Sequence, residues 1–249
     1  HKPWIRAIQE RPTVHIPPLN GGAAKCPPTA PARMKTMVLY DNPFSPFARK
    51  VRMVLHHKGL PFRSVDGLTL AELPTLRKLS CRAEVPLLVD GDVVVVDSAD
   101  IVAYLDDLRP SPPILPASPA LRAKARRWQR TADRSLDAIL HDISLWTWPT
   151  HHRSDEPPPG LLEAGQRDLS VLIDELESDL RGGAYICGDE PSIADFAVFP
   201  HIPSLRFVGI SLTEERLPRS LVVVHDDDQV HQLLRAHFSL RMQKATQQL

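Results

Sequence analysis

Between Val85 and Leu108 the chain carries a proline turn, a β-branched hairpin and a helix start in direct succession. Leu87 to Val89 is a short apolar run, Asp90-Gly91-Asp92 tolerates the positive φ of a tight turn, and Val93 to Val96 is β-branched throughout, so the pattern predicts a β-hairpin. Ser98 is an N-cap residue, followed at helical spacing by Ile101, Val102, Leu105 and Leu108. Pro86 opens a strand although proline cannot donate to a sheet ladder. That puts Val85-Pro86 at a sharp turn, where a cis bond is far commoner than before any other residue. Asp97-Ser98 joins a carboxylate to a hydroxyl at the strand-to-helix junction, where free amides and the positive helix end favour an anionic group; the same pair is also an ordinary cap.

Upstream, Met37 to Tyr40 reads as a buried strand running into Asp41-Asn42-Pro43. Ser45 as N-cap and Pro46 as first helical residue open a helix whose apolar face is Ala48, Val51, Met53, Val54 and Leu55, ending at Lys58-Gly59. Pro61 to Val65 supplies a second strand, and strand, helix and strand make a right-handed βαβ unit with parallel strands. Thr69 through Lys78 is expected as a short irregular helix interrupted at Pro74. Arg109 to Pro116 holds four prolines in eight residues and marks a domain boundary.

Beyond it the period becomes 3.6. Leu121, Ala125, Trp128, Ala132, Leu136, Ile139, Ile143 and Trp146 predict one long helix with a single apolar stripe. Leu162, Leu169, Leu172, Ile173, Leu176 and Leu180 predict a second, ended by Gly182-Gly183, with a loop over His151 to Gly160 between the two. Ser192 with Asp195 three residues on forms a capping box flanked by Pro191 and Phe196, a structural device with no catalytic role. The expected organisation is a flexible proline-rich extension (1–36), an α/β domain (37–109), a linker (110–116) and an all-helical domain (117–249). No function is assigned to the tail after about Pro218.

Among 249 residues, 43% hydrophobic, thirty basic and thirty acidic side chains cancel, which removes a broad electrostatic case for nucleic acid or an anionic membrane. No apolar run approaches the roughly 20 residues of a membrane span. Cys26, Cys81 and Cys187 are scattered and without metal-like spacing, so reduced thiols in a cytoplasmic protein are expected, with no metal. His1 is not a natural start residue, and Met34 or Met37 is the expected beginning.

The order of proline turn, hairpin, acid-Ser pair and helix resembles the second half of the thioredoxin-like domain of glutathione transferases. Asn42 to Arg52 is similar to the active-site segment of the family's serine-type and cysteine-type classes, and Gly188-Asp189 through Ala194-Asp195 is similar to the entry of the core helix in its second domain. The resemblance covers about residues 37 to 212. It implies an α/β thioredoxin-like N-terminal domain of order βαβαββα, followed by an all-α C-terminal domain.

It also implies glutathione as co-substrate. The backbone of Val85, before Pro86, would pair with the cysteinyl part, and Asp97 and Ser98 would hold the γ-glutamyl end. Arg82, with Lys78 also in range, would meet the glycyl carboxylate, and Phe47 belongs to the same site. Asp97 stands where the family usually has Glu, and Glu84 precedes Val85 where a basic residue would help. Ser45 takes the catalytic position. A free thiol of pKa about 8.5 is mostly protonated at neutral pH, and a helix N-terminus with a donating hydroxyl favours the thiolate. Tyr40 is a rival donor whose place inside a strand suits the core. Trp146 and Trp148 are candidates for the electrophile pocket, with core packing the plainer role for Trp146.

The activity so implied is conjugation of small hydrophobic electrophiles, or reduction of peroxides, by a symmetric homodimer. Arg122, Arg126, Arg130 and Arg134 form a row that reads as a solvated face or dimer groove, and Asp100, Asp106 and Asp107 could lie opposite it. A non-catalytic binding module of the same fold is the alternative, favoured by Asp97, Glu84 and the unmatched tail.

Overall fold

A computed structural model describes residues 36–147 and 155–208. Residues 1–35 of the expected N-terminal extension, Cys26 among them, Trp148 and the tail after Pro218 lie outside the described residues.

Strands β1 (Met37–Asp41), β2 (Phe62–Asp66), β3 (Leu87–Asp90) and β4 (Val93–Val96) form one sheet in the order β2-β1-β3-β4. β1 and β2 run parallel, while β1–β3 and β3–β4 are antiparallel. Helix α1 (Pro46–His57) makes the crossover from β1 to β2. Ser45 caps it by accepting from Ala48 N at 3.2 Å, and Gly59, at φ 59°, ends it. The hairpin turns at Gly91 with φ 60°.

Residue alternation along the strands sorts two cores. Leu39 and Leu88 join Val51, Val54 and Leu55 of α1 and Ile101 and Leu105 of α3 (Ser98–Leu108), whereas Tyr40 and Leu87 point the other way, onto Leu76 of α2 (Leu73–Leu79). Tyr40 is thus a core residue, 9% exposed. The first core continues without a break into the helical half through Ala125, Trp128, Ile193, Ala194, Phe196 and Ala197. A buried lysine ties the sheet half to the exit from α3: Lys58 Nζ donates to Asp106 Oδ1 (2.7 Å), Arg109 O (2.7 Å) and Pro112 O (2.9 Å).

The helical half contains α4 (Pro119–Arg130), a π-helical segment (Thr131–Leu136), α5 (Asp137–Thr147), α6 (Leu161–Leu180) and α7 (Ile193–Val198), with a 3-10 run over Phe199–Val208. The capping box that opens α7 forms as expected. Ser192 N and Oγ donate to Asp195 Oδ2 at 2.8 and 2.9 Å, and Ile186 N donates to Asp195 Oδ1 at 2.9 Å.

Three local expectations change. Pro74 sits in the first turn of α2 and starts that helix instead of interrupting it, because a first-turn proline gives up no hydrogen bond. Leu108, expected on the apolar face of α3, is 49% exposed. The long helix takes in a π turn, so the buried stripe runs Ala125, Trp128, Ala132, Leu136, Leu140, Ile143, with Ile139 displaced to its edge. The wider turn keeps residues four apart on one face, where an α-helix would drift.

Candidate functional site

The N-terminal ends of α1 and α3, the turn before β3 and the π turn converge on a cleft of about 550 Å³. Its sheet-side wall consists of Phe47, Arg82, Glu84, Val85, Pro86, Asp97 and Ser98 with Ala99; its helical wall is Gln129, Arg130, Asp133 and Arg134. The volume lies within the range usual for small-molecule sites.

Local chemistry explains each placement on the first wall. The Val85-Pro86 bond is cis, and Pro86 is buried at the mouth of β3. Gly67 follows β2 beneath Val85, where a Cβ would lie 3.1 Å from Val85 Cγ1 and 3.3 Å from Tyr40 Cβ; glycine allows that approach without displacing either. Asp97 adopts φ 69°, a conformation that costs a non-glycine residue energy and is held only where the surroundings over-determine it. Ala83, between Arg82 and Glu84, shares that property at φ 49°. Among the described residues these two alone of the non-glycines have positive φ; Asp97 lines the cleft, and Ala83 lies between two residues that do.

The cap of α3 corrects one expectation. Asp97 is the N-cap, with Oδ1 accepting from Ala99 N at 2.8 Å, and Ser98 is the first helical residue. Ser98 is 6% exposed, and its Oγ has no hydrogen-bond partner among the described residues. The backbone turn at Asp97 moves the capping role one residue upstream and turns the Ser98 hydroxyl from capping toward the cleft.

Electrostatics divide the walls. Arg82 Nη2 and Glu84 Oε2 pair at 2.5 Å, both more than half exposed, so the cation expected for a ligand carboxylate already has a local partner. Asp133, on the helical wall, accepts twice from Lys50 Nζ, at 2.8 Å to each carboxylate oxygen. The Lys50 side chain is 1% exposed and also lies 5.7 Å from the Phe47 ring centroid. Burial pulls the Lys50 ammonium below its ordinary value and pushes the Asp133 carboxyl above its own, with the attraction between them opposing both shifts. Behind Phe47, whose ring meets His201 edge-on at 6.1 Å, burial and the neighbouring Lys50 and Arg49 charges push His201 down to about 3.

Six of the nine residues expected at a site, Phe47, Arg82, Val85, Pro86, Asp97 and Ser98, therefore line one cleft. Ser45 does not line it directly. It caps α1 two residues before Phe47, half-buried, with its hydroxyl accepting from Ala48 N and its own proton free to be donated. Trp146 is half-buried at the end of α5 and does not line this cleft, whose helical wall is Gln129, Arg130, Asp133 and Arg134. Two of the arginine row, Arg130 and Arg134, stand on this wall because residues four apart share a helix face, and both are exposed, as a solvated face requires. Asp106, one of the acids expected opposite the row, is held by Lys58.

Among the described residues no group of three His, Cys, Asp or Glu side chains is arranged to hold a metal, and no helix is long and apolar enough to cross a membrane.

Comparison with known proteins bears on this architecture directly. Residues 39–113 match the family model described as glutathione S-transferase, N-terminal domain, and residues 159–238 match that described as glutathione S-transferase, C-terminal domain. The chain is 31% identical over 219 residues to glutathione S-transferase 1 of Dianthus caryophyllus, covering 86% of this chain and 94% of that one. It is 27% identical over 177 residues to FtsZ-localized protein A of Caulobacter vibrioides, covering 69% of this chain and 78% of that one. The crystal structure of a glutathione S-transferase from Rhodospirillum rubrum F11 superposes with a TM-score of 0.64 at 23% identity, over 76% of this chain and 87% of that one. The four-stranded mixed sheet with its cis-proline turn, the helical half that follows and these matches agree: the chain belongs to the glutathione S-transferase family.

Proposed function

We propose that the cleft binds glutathione and that the chain transfers its thiolate to a small electrophile or a peroxide. The observation that carries this reading is the convergence, on one cleft at the N-terminal end of α1, of the cis Val85-Pro86 turn, the Asp97-Ser98 junction and Phe47. The Val85 backbone pairs with the cysteinyl residue, Asp97 takes the γ-glutamyl ammonium, and the unpartnered Ser98 hydroxyl with the first amides of α3 takes the γ-glutamyl carboxylate. Arg82 meets the glycyl carboxylate at the expense of its contact with Glu84.

Ser45 donates a hydrogen bond to the thiolate sulfur, and the positive end of α1 adds to that stabilisation. The sulfur lone pair then forms a C–S bond as the leaving group departs with its bonding electrons, the thiol proton having gone to solvent. With a peroxide, the thiolate attacks the terminal oxygen, the O–O bond breaks and the alcohol leaves; a second glutathione then displaces water from the sulfenic acid so formed, giving the disulfide. The assembly is a homodimer, as is usual in the family.

Ser45→Ala tests the reading. Conjugation with glutathione should fall by about 10²-fold or more if the hydroxyl stabilises the thiolate, and an unchanged rate removes Ser45 from the mechanism. A second reading, a binding module without turnover, draws on the likeness to FtsZ-localized protein A, whose name describes a location and no transferase. Isothermal calorimetry at millimolar glutathione separates the two, since a module that has lost the substrate shows no heat of binding.

A further inference from the structure

The charges of the cleft do not cancel, and the excess sits on one wall. Glu84 is matched by Arg82, and Asp133 by the buried Lys50. Asp97 spends one oxygen on Ala99 N and faces the site as a lone carboxylate. On the helical wall Arg130 and Arg134 stand four residues apart at the π turn, both exposed, and among the described residues neither has an ion-pair or hydrogen-bond partner. Two guanidinium groups presented side by side from one helix face form a receptor for a planar anion, since each offers a fork of N–H donors matched to carboxylate geometry.

An apolar electrophile closing this cleft would strip water from both groups and return no partner, a penalty an anionic ligand avoids. The two carboxylates of glutathione have other partners on the opposite wall in the function proposed above, on which this step rests. We infer that the second substrate of this site is anionic, a carboxylate-bearing electrophile held by Arg130 and Arg134 with its reactive carbon turned toward the sulfur. This changes the expected substrate class from hydrophobic to acidic. It also gives the arginine row a part in recognition.

Equilibrium binding of two chemically made conjugates tests this without needing turnover. S-(4-carboxy-2-nitrophenyl)glutathione and its uncharged carboxamide counterpart differ only in the group that the arginines would meet, and calorimetry on the full chain gives Kd for each and for glutathione. The carboxylate conjugate should bind at least about 10-fold more tightly than the carboxamide, the scale of one charge-assisted contact. In Arg130→Gln/Arg134→Gln that ratio should collapse toward one. Equal binding of the two conjugates by a chain that does bind glutathione overturns the anionic substrate and leaves the glutathione site standing. A loss of glutathione affinity in the double variant as large as the loss for the carboxylate conjugate assigns the arginines to the tripeptide and overturns the inference as well. If glutathione and both conjugates fail to bind, the proposed function falls and takes this inference with it.

Discussion

Removing the carboxylate of Asp133 exposes how the two halves of the cleft are joined. Lys50 projects from α1 with a side chain 1% exposed, and Asp133 on the π turn, 20% exposed, is its carboxylate partner at 2.8 Å. Asp133→Ala leaves an ammonium in a slot that water barely reaches, a defect worth about 3–5 kcal/mol, against a total stability on the order of 5–15 kcal/mol. Lys50→Met keeps the aliphatic stem in its slot and strands a carboxylate that is one-fifth exposed, so its cost should be smaller, about 1–3 kcal/mol. The double change Lys50→Met/Asp133→Ala removes both charges and should leave the protein within about 2 kcal/mol of the parent.

Urea unfolding of the four chains gives the coupling energy, provided the m-values agree. A coupling of about 2 kcal/mol or more is expected. If Asp133→Ala costs less than about 1 kcal/mol, or the double change is no better than the sum of the singles, the pair is not buried and coupled as described, and the argument is wrong.

Gly67→Ala should place a methyl 3.1 Å from Val85 Cγ1 and shift the residue proposed to pair with glutathione, so Kd for glutathione should rise severalfold; an unchanged Kd would show that Val85 is not the contact. His201 stays neutral in the folded chain until pH about 3, whereas an unfolded chain protonates it from its ordinary 6.5 downward. Stability therefore falls as pH drops through that window, by up to about 1.4 kcal/mol per pH unit, and His201→Gln should flatten the slope in urea midpoints between pH 6.5 and 4; parallel slopes would refute it. Asp195→Ala leaves the buried amides of Ile186 and Ser192 without acceptors, about 1–3 kcal/mol each, and a drop in the urea midpoint without loss of glutathione binding would mark the residue as structural.

The sheet half was legible because its signals are local. Ser45-Pro46 states where α1 starts, Gly59 where it stops, Gly91 where the hairpin turns, and Val85-Pro86 where the cis bond falls, each within a few residues of the geometry it dictates. Local signals also produced the errors. Asp97 and Ser98 are both competent caps, and only the backbone turn at Asp97 chooses between them. Steps of four residues from Trp128 to Leu140 fit an apolar stripe on an α-helix and on a π turn alike, so the turn could not be seen in the spacing. The helical wall was hidden for a different reason: Lys50 and Asp133 meet across 83 positions of chain, and no pattern within either helix says that they will.

The π turn between Thr131 and Leu136 has a consequence for what variation the protein can absorb. Arg130, Asp133 and Arg134 reach the cleft from its rim and first turn, and Leu140 and Ile143 reach α6 only because the wider turn precedes them. The π turn holds one residue more than an ordinary turn, so a single deletion within it would close into an α-helix with Leu140 and Ile143 still on the buried face. An insertion would instead swing everything downstream by about 100° and bring Asp142 to the place of Ile143. The segment has already absorbed its extra residue, and packing a full turn or more away bars another.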